Sequence, residues 1–417
     1  MKETLLNKKA GEYILNMLKW SVLAALIGLI SALAGALFHY AVDIGAHVRV
    51  IYPQLIFGLP LGGVFIVFLY HICKMDDDKG TNSILTSVRT AERVTILLAP
   101  VILIATAITH FFGGSAGREG AALQIGGSIG SFFARLLKLH SYSTCVLIMC
   151  GMSGLFSAVF GTPITAAIFA LEVSSVGFMH YGALFPSLLS AVVAQSVAHL
   201  LGVEKTAFAL ANVPLFDAFS LLKVVGLALL AAILSVVFIS TMHKTSDLMA
   251  KHIKNRYLRI IFGAIVIIVL TLITGSMRYN GAGMDVIISA VENGTALPWD
   301  FLLKILFTAI TLGAGFKGGE IVPTFFIGST FGTFVAPLLG LDPSFGAAVA
   351  LVALFCGVVN CPVASIFLSI ELFGAEGLIY FSAASAVSYF FSGNFSLYSS
   401  QKMVFSKLRA VEYEEIN

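Results

Sequence analysis

Two glycine-rich segments interrupt an otherwise apolar sequence, and each of them carries a glutamate. Residues 113–120 read GGSAGREG and contain Glu119, and residues 313–323 read GAGFKGGEIVP and contain Glu320. In a membrane chain, such breaks place helix ends with unpaired backbone N–H groups at bilayer depth. Helix N-termini attract anions, and a carboxylate among them competes with a diffusing anion for the same donors. The two segments therefore predict anion movement that is coupled to a proton.

The composition indicates a membrane protein. Hydrophobic residues make up 58% of the chain and charged residues 11%, whereas soluble domains have roughly 25% charged residues. Residues 20–40, 221–240 and 260–275 form long apolar runs, and about 18 mostly apolar residues are enough to cross a bilayer. A soluble domain with a very large apolar core does not account for so many consecutive runs. The predicted fold class is therefore an all-α, polytopic membrane protein in contact with the lipid bilayer.

Neither a leader peptide nor a nucleic-acid partner is predicted. An acidic residue and a polar stretch precede the first long apolar run, and residues 20–40 are too long for the core of a signal peptide. We therefore expect this run to be retained as the first span. The net charge of +3 does not indicate nucleic-acid binding, because most basic residues lie near the ends of apolar runs.

The two halves of the chain resemble each other. Residues 125–134 match residues 327–336 at an isoleucine, two glycines, a phenylalanine and an alanine. Further downstream, a proline and a glutamate recur at equal spacing, which makes chance similarity between apolar sequences a poor explanation. The recurring residues are Pro163 with Pro362 and Glu172 with Glu371.

We therefore predict two membrane repeats, at residues 1–205 and 206–417, around the polar region 202–217. Many apolar pieces are too short to cross alone, so each repeat should consist of tilted and broken helices. An odd number of spans per repeat would invert one against the other, with the site at their interface. The second repeat is expected to end in a short C-terminal tail, without a cytoplasmic regulatory domain.

Four motifs together resemble the CLC family of chloride channels and anion/proton antiporters. Residues 117–120 resemble its G-(K/R)-E-G-P motif, with Ala121 where proline is usual. Residues 319–323 resemble its G-x-F-x-P motif, with Ile321 in place of phenylalanine. Residues 161–172 resemble its T-P-x-x-x-x-x-F-x-x-E segment, and Tyr398 stands in the place of its pore tyrosine. The resemblance covers almost the whole chain and implies the CLC fold of inverted repeats, in a homodimer with one pathway per subunit.

Two departures from the family pattern favour its fluoride/proton antiporter branch. The position of the inner proton glutamate of chloride/proton exchangers aligns with Val173, and a carboxylate, Glu320, lies inside the second motif. The loop whose serine meets the central anion corresponds to residues 80–84, which puts Thr81 at the serine position. The resemblance thus implies a minimal, prokaryotic transporter of the inner membrane. Fluoride is the first substrate choice, and a chloride/proton antiporter or a passive voltage-gated-type chloride channel is the alternative.

Glu119 and Glu320 are the predicted gating and proton-coupling residues. Deprotonated, Glu119 would fill an anion site, and protonated, it would leave that site; the alternative is a simple helix cap. Glu320 would relay protons or form a structural hydrogen bond to Thr81 or Asn82. The predicted anion-binding residues are Gly117, Arg118, Gly120, Ile321, Val322, Thr81 and Tyr398.

Several of these residues have a second interpretation. Ile321 and Val322 would contribute backbone N–H groups, and Thr81 and Tyr398 hydroxyl groups. Tyr398 also fits an interfacial aromatic anchor. Two basic residues would either raise the local anion concentration or be ordinary snorkelling side chains; they are Arg118 and Lys317.

Glu172 and Glu371 are predicted near helix C-terminal ends, where negative charge is disfavoured, so we interpret them as structural or mouth-lining. The sequence shows no metal-ligand cluster, no cofactor motif and no nucleophile–base arrangement, which disfavours a membrane-embedded enzyme. The predicted partners are fluoride or chloride, protons and lipid.

Overall fold

The computed structural model describes residues 2–210 and 212–407, and the end of the predicted tail, residues 408–417, lies outside the described residues. Within the described part the chain forms sixteen α-helices and one two-residue parallel strand pair. The eight helices of the first half are α1 (Lys2–Ile51), α2 (Leu59–Ile72), α3 (Thr81–Thr90), α4 (Leu98–Phe111), α5 (Glu119–Leu136), α6 (Ser141–Phe160), α7 (Pro163–Glu172) and α8 (Leu184–Leu200).

The second half repeats this plan helix by helix. Its helices are α9 (Ala218–His252), α10 (Arg256–Thr274), α11 (Met284–Asn293), α12 (Asp300–Ala314), α13 (Ile321–Val335), α14 (Pro343–Val359), α15 (Pro362–Phe373) and α16 (Leu378–Phe391). No helix occupies the described residues between Leu200 and Ala218. The predicted repeat boundary at residues 205 and 206 falls in this connection and stays a prediction.

Seven helical segments of the described residues are long and apolar enough to cross a membrane, and the others are shorter. The span windows in α2 and α10 are only 33% and 28% buried, whereas those in α6 and α13 are 89% and 78% buried. Helices of the first kind expose apolar side chains at the surface, where lipid can cover them. The protein is therefore a multi-pass membrane protein whose glycine-bearing helices lie at its centre.

Small residues set the close packing at this centre in the same way in both halves. A Cβ atom added to Gly126 in α5 would lie 2.1 Å from the carbonyl oxygen of Gly151 in α6. A Cβ atom added to Gly332 in α13 would lie 2.2 Å from the carbonyl oxygen of Gly346 in α14. Glycine lets membrane helices approach this closely. The two helix pairs form the rigid support of the segments that precede α5 and α13.

The two halves also cap each other through Glu172 and Glu371. Glu172, the last residue of α7, accepts hydrogen bonds from the backbone N–H groups of Val363 and Ala364, at 3.2 and 2.9 Å. Glu371 in α15 accepts from the two corresponding N–H groups of α7, at 2.9 and 2.8 Å. Each carboxylate thereby satisfies donors that a helix N-terminus leaves unpaired. This geometry favours the structural interpretation of both residues over a place at the pathway mouth.

Candidate anion site

The two glycine-rich segments meet at the centre of the molecule. The Gly117 N–H donates to the Gly319 carbonyl oxygen at 2.7 Å, and the Gly319 N–H donates to the Gly117 carbonyl oxygen at 2.7 Å. Because Gly117 lies just before α5 and Gly319 just before α13, this bridge joins two helix N-termini from different halves. A Cβ atom at position 319 would lie 2.5 Å from the backbone nitrogen of Gly120. The approach therefore requires glycine.

Glu119 is the first residue of α5, and its side chain is completely buried. Its Oε2 accepts a hydrogen bond from the backbone N–H of Val322 at 3.1 Å, and its Oε1 has no hydrogen-bond partner. Val322 belongs to the first turn of α13, so the carboxylate of one half occupies a free donor of the other half. That donor is of the kind an anion would use. The Glu119 carboxylate and a diffusing anion can therefore alternate as the acceptor of the Val322 N–H.

Glu320 immediately precedes α13 and lines a vestibule of about 630 Å³. Its Oε2 is buried and has no hydrogen-bond partner. A Cβ atom at Gly120 would lie 3.3 Å from both Glu320 Oε2 and Thr81 Oγ1, so these groups approach each other across the glycine. Among the described residues, neither Thr81 nor Asn82 hydrogen-bonds to Glu320: Thr81 Oγ1 donates to the Gly120 carbonyl oxygen at 3.5 Å, and Asn82 Oδ1 accepts from the Ser400 N–H.

The vestibule brings together most of the predicted polar residues. Thr81 begins α3 and is 7% exposed, and Tyr398 is 2% exposed with a hydroxyl group that has no hydrogen-bond partner. Such burial excludes the interpretation of Tyr398 as an interfacial anchor. The vestibule-lining residues with polar side chains include Asp78, Lys79, Thr81, Asn82, Gln124, His243, Ser246, Asp247, Arg259, Lys317, Glu320, Tyr398 and Ser399.

Gln124 is a polar vestibule residue that the sequence interpretation missed. It lies one turn after Gly120 in α5 and is 4% exposed. Its Nε2 donates to the Gly120 carbonyl oxygen at 3.1 Å and to Thr81 Oγ1 at 3.3 Å, while its Oε1 has no partner. The available signal was an amide four residues after a motif glycine, which places both on one helix face.

The side chains of the two basic residues near the motifs lie in different places, one against α1 and the other in the vestibule. The Arg118 guanidinium donates to His39 Nδ1 of α1 at 2.7 Å, packs 6.0 Å from the ring centre of Phe160 and does not line the vestibule. Lys317 lines the vestibule, and its Nζ lies 4.3 Å from the ring centre of Tyr70. Of the two cations, only Lys317 can therefore contact an anion in the vestibule directly.

The C-terminal segment fixes Tyr398. Gln401 Nε2 donates to the carbonyl oxygens of Val173 and Val359, each at 2.8 Å. Arg89 in α3 donates to the carbonyl oxygens of Ser174 and Ser400, each at 2.6 Å. These bonds hold the segment that carries the tyrosine against α3, α7 and α14.

Comparison with known protein families agrees with this architecture. Residues 61–393 match the model of the voltage gated chloride channel family. The chain belongs to this family. The predicted resemblance to CLC proteins is thereby confirmed, and with it the all-α, polytopic fold class with two inverted repeats of tilted, broken helices.

Individual CLC proteins match over most of their length. The chain is 35% identical over 405 residues to a chloride/fluoride channel protein of Pseudomonas syringae pv. tomato, covering 95% of this chain and 89% of that protein. It is 25% identical over 396 residues to an H(+)/Cl(-) exchange transporter of Vibrio cholerae, covering 84% and 81%.

Solved structures give the same picture. A CLC-type fluoride/proton antiporter superposes with a TM-score of 0.89 at 31% identity, covering 93% of this chain and 98% of that chain. A slow cyanobacterial Cl-/H+ antiporter superposes with a TM-score of 0.78 at 20% identity, covering 89% and 94%, and supports the fold.

Proposed function

We propose that this CLC-family protein exchanges fluoride for protons across the inner membrane of a prokaryotic cell. The hydrogen bond from the Val322 N–H to Glu119 Oε2 is the observation that carries the proposal. The names of two relatives with more than 30% identity, a chloride/fluoride channel and a fluoride/proton antiporter, support fluoride as the substrate. Anion transport is the activity of the family, and we assign the protein a transport role and no enzymatic one.

The Glu119 carboxylate and an anion cannot accept from the Val322 N–H at the same time, and this exclusion would couple proton movement to fluoride movement. The Glu119 carboxylate accepts from the Val322 N–H at the N-terminus of α13, where the helix dipole favours negative charge. Protonation removes that charge, weakens the hydrogen bond and frees the N–H group for fluoride. When fluoride leaves, the Glu119 carboxyl group loses its proton and returns to the Val322 N–H as a carboxylate. No covalent chemistry and no ATP are needed for this cycle.

Glu320 is suited to exchange this proton with the vestibule. It lines the vestibule directly, and its buried Oε2 has no fixed hydrogen-bond partner that would have to be broken. A carboxyl group deep in a membrane protein is costly and is usually functional. We assign it the inner proton step, which the apolar Val173 cannot perform.

The donors of the vestibule fit an anion that holds water tightly. Fluoride is a strong hydrogen-bond acceptor, so a site must replace its hydration with strong donors. Thr81 and Tyr398 line the vestibule with their hydroxyl groups, and the Tyr398 hydroxyl makes no competing hydrogen bond. The Val322 N–H is the further donor, held by Glu119 Oε2. Gly117 and Gly120 contribute by letting the two helix ends approach. Exchange of chloride for protons is the second candidate, supported by the exchange transporter of Vibrio cholerae.

We also propose that the protein is a homodimer, as the CLC resemblance implies. Its apolar surface includes side chains more than half exposed, such as Leu37, Leu61 and Leu272 at 63%, 75% and 61%. Lipid or a second copy would cover such faces. Mass determination of the detergent-solubilised protein would test this: a dimeric mass supports the assignment and a monomeric mass at all concentrations contradicts it.

Simultaneous recording of anion and proton movement tests the proposed function. Purified protein is placed in liposomes with a fluoride gradient and no pH gradient, and the external pH and fluoride concentration are followed together. We expect the fluoride gradient to drive net proton movement in the opposite direction and so to build up a pH gradient. Proton pumping with chloride but not fluoride would establish the second candidate instead. Fluoride flux without any proton movement would establish a passive channel and reject exchange.

The variant Glu119→Gln tests the residue that carries the proposal. Glutamine keeps the shape and the acceptor oxygen but cannot take part in proton exchange. We expect proton pumping to be abolished while anion movement persists. Full proton pumping by this variant would remove Glu119 from the cycle.

A further inference from the structure

A second cavity adjoins the vestibule where the end of α2 meets the first turn of α10. Its volume is about 200 Å³. We call this cavity the side pocket; its polar lining consists of Tyr70, Asp76, Asp78, Arg256, Arg259 and Lys317. The rest of its wall is formed by Ile66, Val67, Ala314 and Gly315. Gly315 and three of the polar residues also line the vestibule, so the two cavities share a wall.

The side pocket lies at the edge of a surface that lipid can cover. The span windows of α2 and α10 are the least buried of the candidate spans in the described residues. Ile72, at the end of α2, and Leu258, in the first turn of α10, are each 59% exposed. Both helices thus carry apolar side chains up to the ends that form the pocket. Phospholipid headgroups lie at this level of a bilayer, and basic pockets at the ends of membrane helices bind them.

Several polar atoms of the side pocket are buried and unsatisfied. Among the described residues, the Tyr70 hydroxyl, Arg259 Nε and Asp78 Oδ2 have no hydrogen-bond partner. Tyr70 is only 5% exposed, and a buried hydroxyl of this kind is normally satisfied by the protein, by water or by a ligand. The Lys317 Nζ lies 4.3 Å from the ring centre of the same tyrosine. The pocket therefore offers three donor groups and one acceptor oxygen.

The charges of the side pocket favour a ligand with a single negative charge. Arg256 is already paired with two aspartates of the loop after α2, at 2.9 and 3.1 Å. Among the described residues, Arg259, Lys317 and Asp78 form no salt bridge of 4 Å or less. Two unpaired cations and one unpaired carboxylate leave an excess of about one positive charge, which attracts an anion.

We propose that the side pocket binds a singly charged phosphate group. A phosphate presents several acceptor oxygens, which match the Tyr70 hydroxyl, the Arg259 guanidinium and the Lys317 ammonium group. A hydroxyl group on the same ligand can donate to Asp78 Oδ2, whereas a halide has no donor for that oxygen. Either the phosphodiester of a phospholipid or dihydrogen phosphate supplies this chemistry. The site lies beside the vestibule, so its occupancy does not depend on whether the transported anion is fluoride.

Lipid binding and free phosphate binding are measured separately. Native mass spectrometry of the purified protein counts bound phosphatidylglycerol, an anionic lipid with headgroup hydroxyls, and compares it with phosphatidylcholine, which has neither a net charge nor such hydroxyls. The thermal unfolding midpoint in detergent is followed with inorganic phosphate, and sodium chloride at equal ionic strength is the control. We expect one phosphatidylglycerol per chain to bind more tightly than phosphatidylcholine.

Variants of the pocket residues test the assigned contacts. Tyr70→Phe removes only an unpaired hydroxyl, so it should fold normally and weaken phosphatidylglycerol binding about tenfold, the loss of one hydrogen bond to a charged group. Arg259→Gln should weaken it at least as much. Asp78→Asn should tighten it about threefold, because it removes a repelling charge and keeps an acceptor oxygen. Lys254→Met and Tyr257→Phe are matched controls that do not line the pocket, and each should leave the affinity unchanged.

The outcomes distinguish the two sources of the phosphate group. Tight phosphatidylglycerol binding that Tyr70→Phe weakens assigns the pocket to a lipid headgroup. A midpoint raised by inorganic phosphate in the wild type but not in Arg259→Gln, without tight lipid binding, assigns it to free phosphate. Equal binding by the wild type and Tyr70→Phe of both probes would overturn the proposal and leave a water-filled cavity. Weaker binding by Asp78→Asn would also overturn it, since it would indicate a cation site.

Discussion

The two glycine-rich segments have the same plan but place their glutamates one position apart. Glu119 is the first residue of α5 and corresponds to Ile321, whereas Glu320 precedes α13 and corresponds to Arg118. Glu119 reaches across the bridge to the Val322 N–H, and Glu320 faces the vestibule. The Arg118 guanidinium instead contacts α1. A shift of one residue therefore decides whether a carboxylate holds a helix end or faces the vestibule.

Under the proposed function, this difference would assign the two carboxyl groups separate steps of proton movement. Glu119 would compete with an anion for the Val322 N–H, and Glu320 would exchange protons with the vestibule that it lines. A perfectly symmetric pair would place both carboxylates at the bridge, where like charges repel each other. The inverted repeats supply the two helix N-termini, and the one-residue offset between the two glutamates makes the vestibule side of the bridge different from its other side.

The largest expected effect comes from Gly319→Ala. The added Cβ would lie 2.5 and 2.7 Å from the backbone nitrogens of Gly120 and Glu119, so the bridge cannot close. We expect a loss of more than about 4 kcal/mol of stability and no transport. Gly315→Ala is the matched control, because open space surrounds it and only its positive φ of 111° adds strain.

Gly315→Ala should remain folded at a cost of about 1–3 kcal/mol, because alanine is strained at this positive φ. The monodisperse yield in detergent and the thermal unfolding midpoint measure both variants. Similar yields of active protein from the two variants would show that the bridge is dispensable.

The second effect concerns the equivalent positions 118 and 320. We expect Glu320→Gln to lower fluoride turnover about tenfold, which corresponds to about 1.4 kcal/mol of barrier height, because glutamine cannot carry the inner proton step. Arg118→Gln removes the bond to His39 and should lower stability with a smaller effect on turnover. Initial fluoride efflux per protein is the measurement. The division of labour fails if Glu320→Gln transports at the wild-type rate.

The third prediction concerns the reciprocal caps. Glu172→Gln and Glu371→Gln each replace a carboxylate that accepts two N–H groups with an amide that has one acceptor oxygen. We expect about 1–3 kcal/mol of lost stability, with the larger loss at the buried Glu172. Thermal unfolding in detergent measures it. Unchanged midpoints together with altered transport would instead place these residues on the pathway.

Parts of this arrangement could be predicted from the sequence because the motifs determine where the backbone forms and ends a helix. Glycine before a helix start predicts an exposed helix end, and the recurrence of Pro163 and Glu172 at Pro362 and Glu371 predicts related halves. The family and fold followed from these features. The partner of Glu119 did not, because it lies about two hundred residues away and depends on how the halves meet.

Side-chain direction was the part that could not be predicted. Arg118 and Lys317 look alike as cations beside a motif, but the rotation of each segment about the bridge sends one to α1 and the other to the vestibule. Lys304 interrupts the otherwise uncharged stretch 301–314 of α12, where hydropathy treats it as a break in a span. Only packing against Phe326 and the carbonyl oxygens of residues 279 and 281 shows that it is completely buried.

The smallest expected effect concerns Gln124, which corresponds to Phe326 in the second repeat. We expect Gln124 to act through Thr81. Thr81 Oγ1 accepts from Gln124 Nε2 at 3.3 Å and donates to the Gly120 carbonyl oxygen only at 3.5 Å, so its proton can turn from this long bond toward an anion while Gln124 holds the oxygen. Gln124→Met should raise the half-maximal fluoride concentration from the vestibule face about threefold, the loss of part of one hydrogen bond. In a Thr81→Val background the same change should have no further effect, since interacting positions are not additive. Full additivity of the two variants would mean that Gln124 meets the anion itself rather than orienting the threonine.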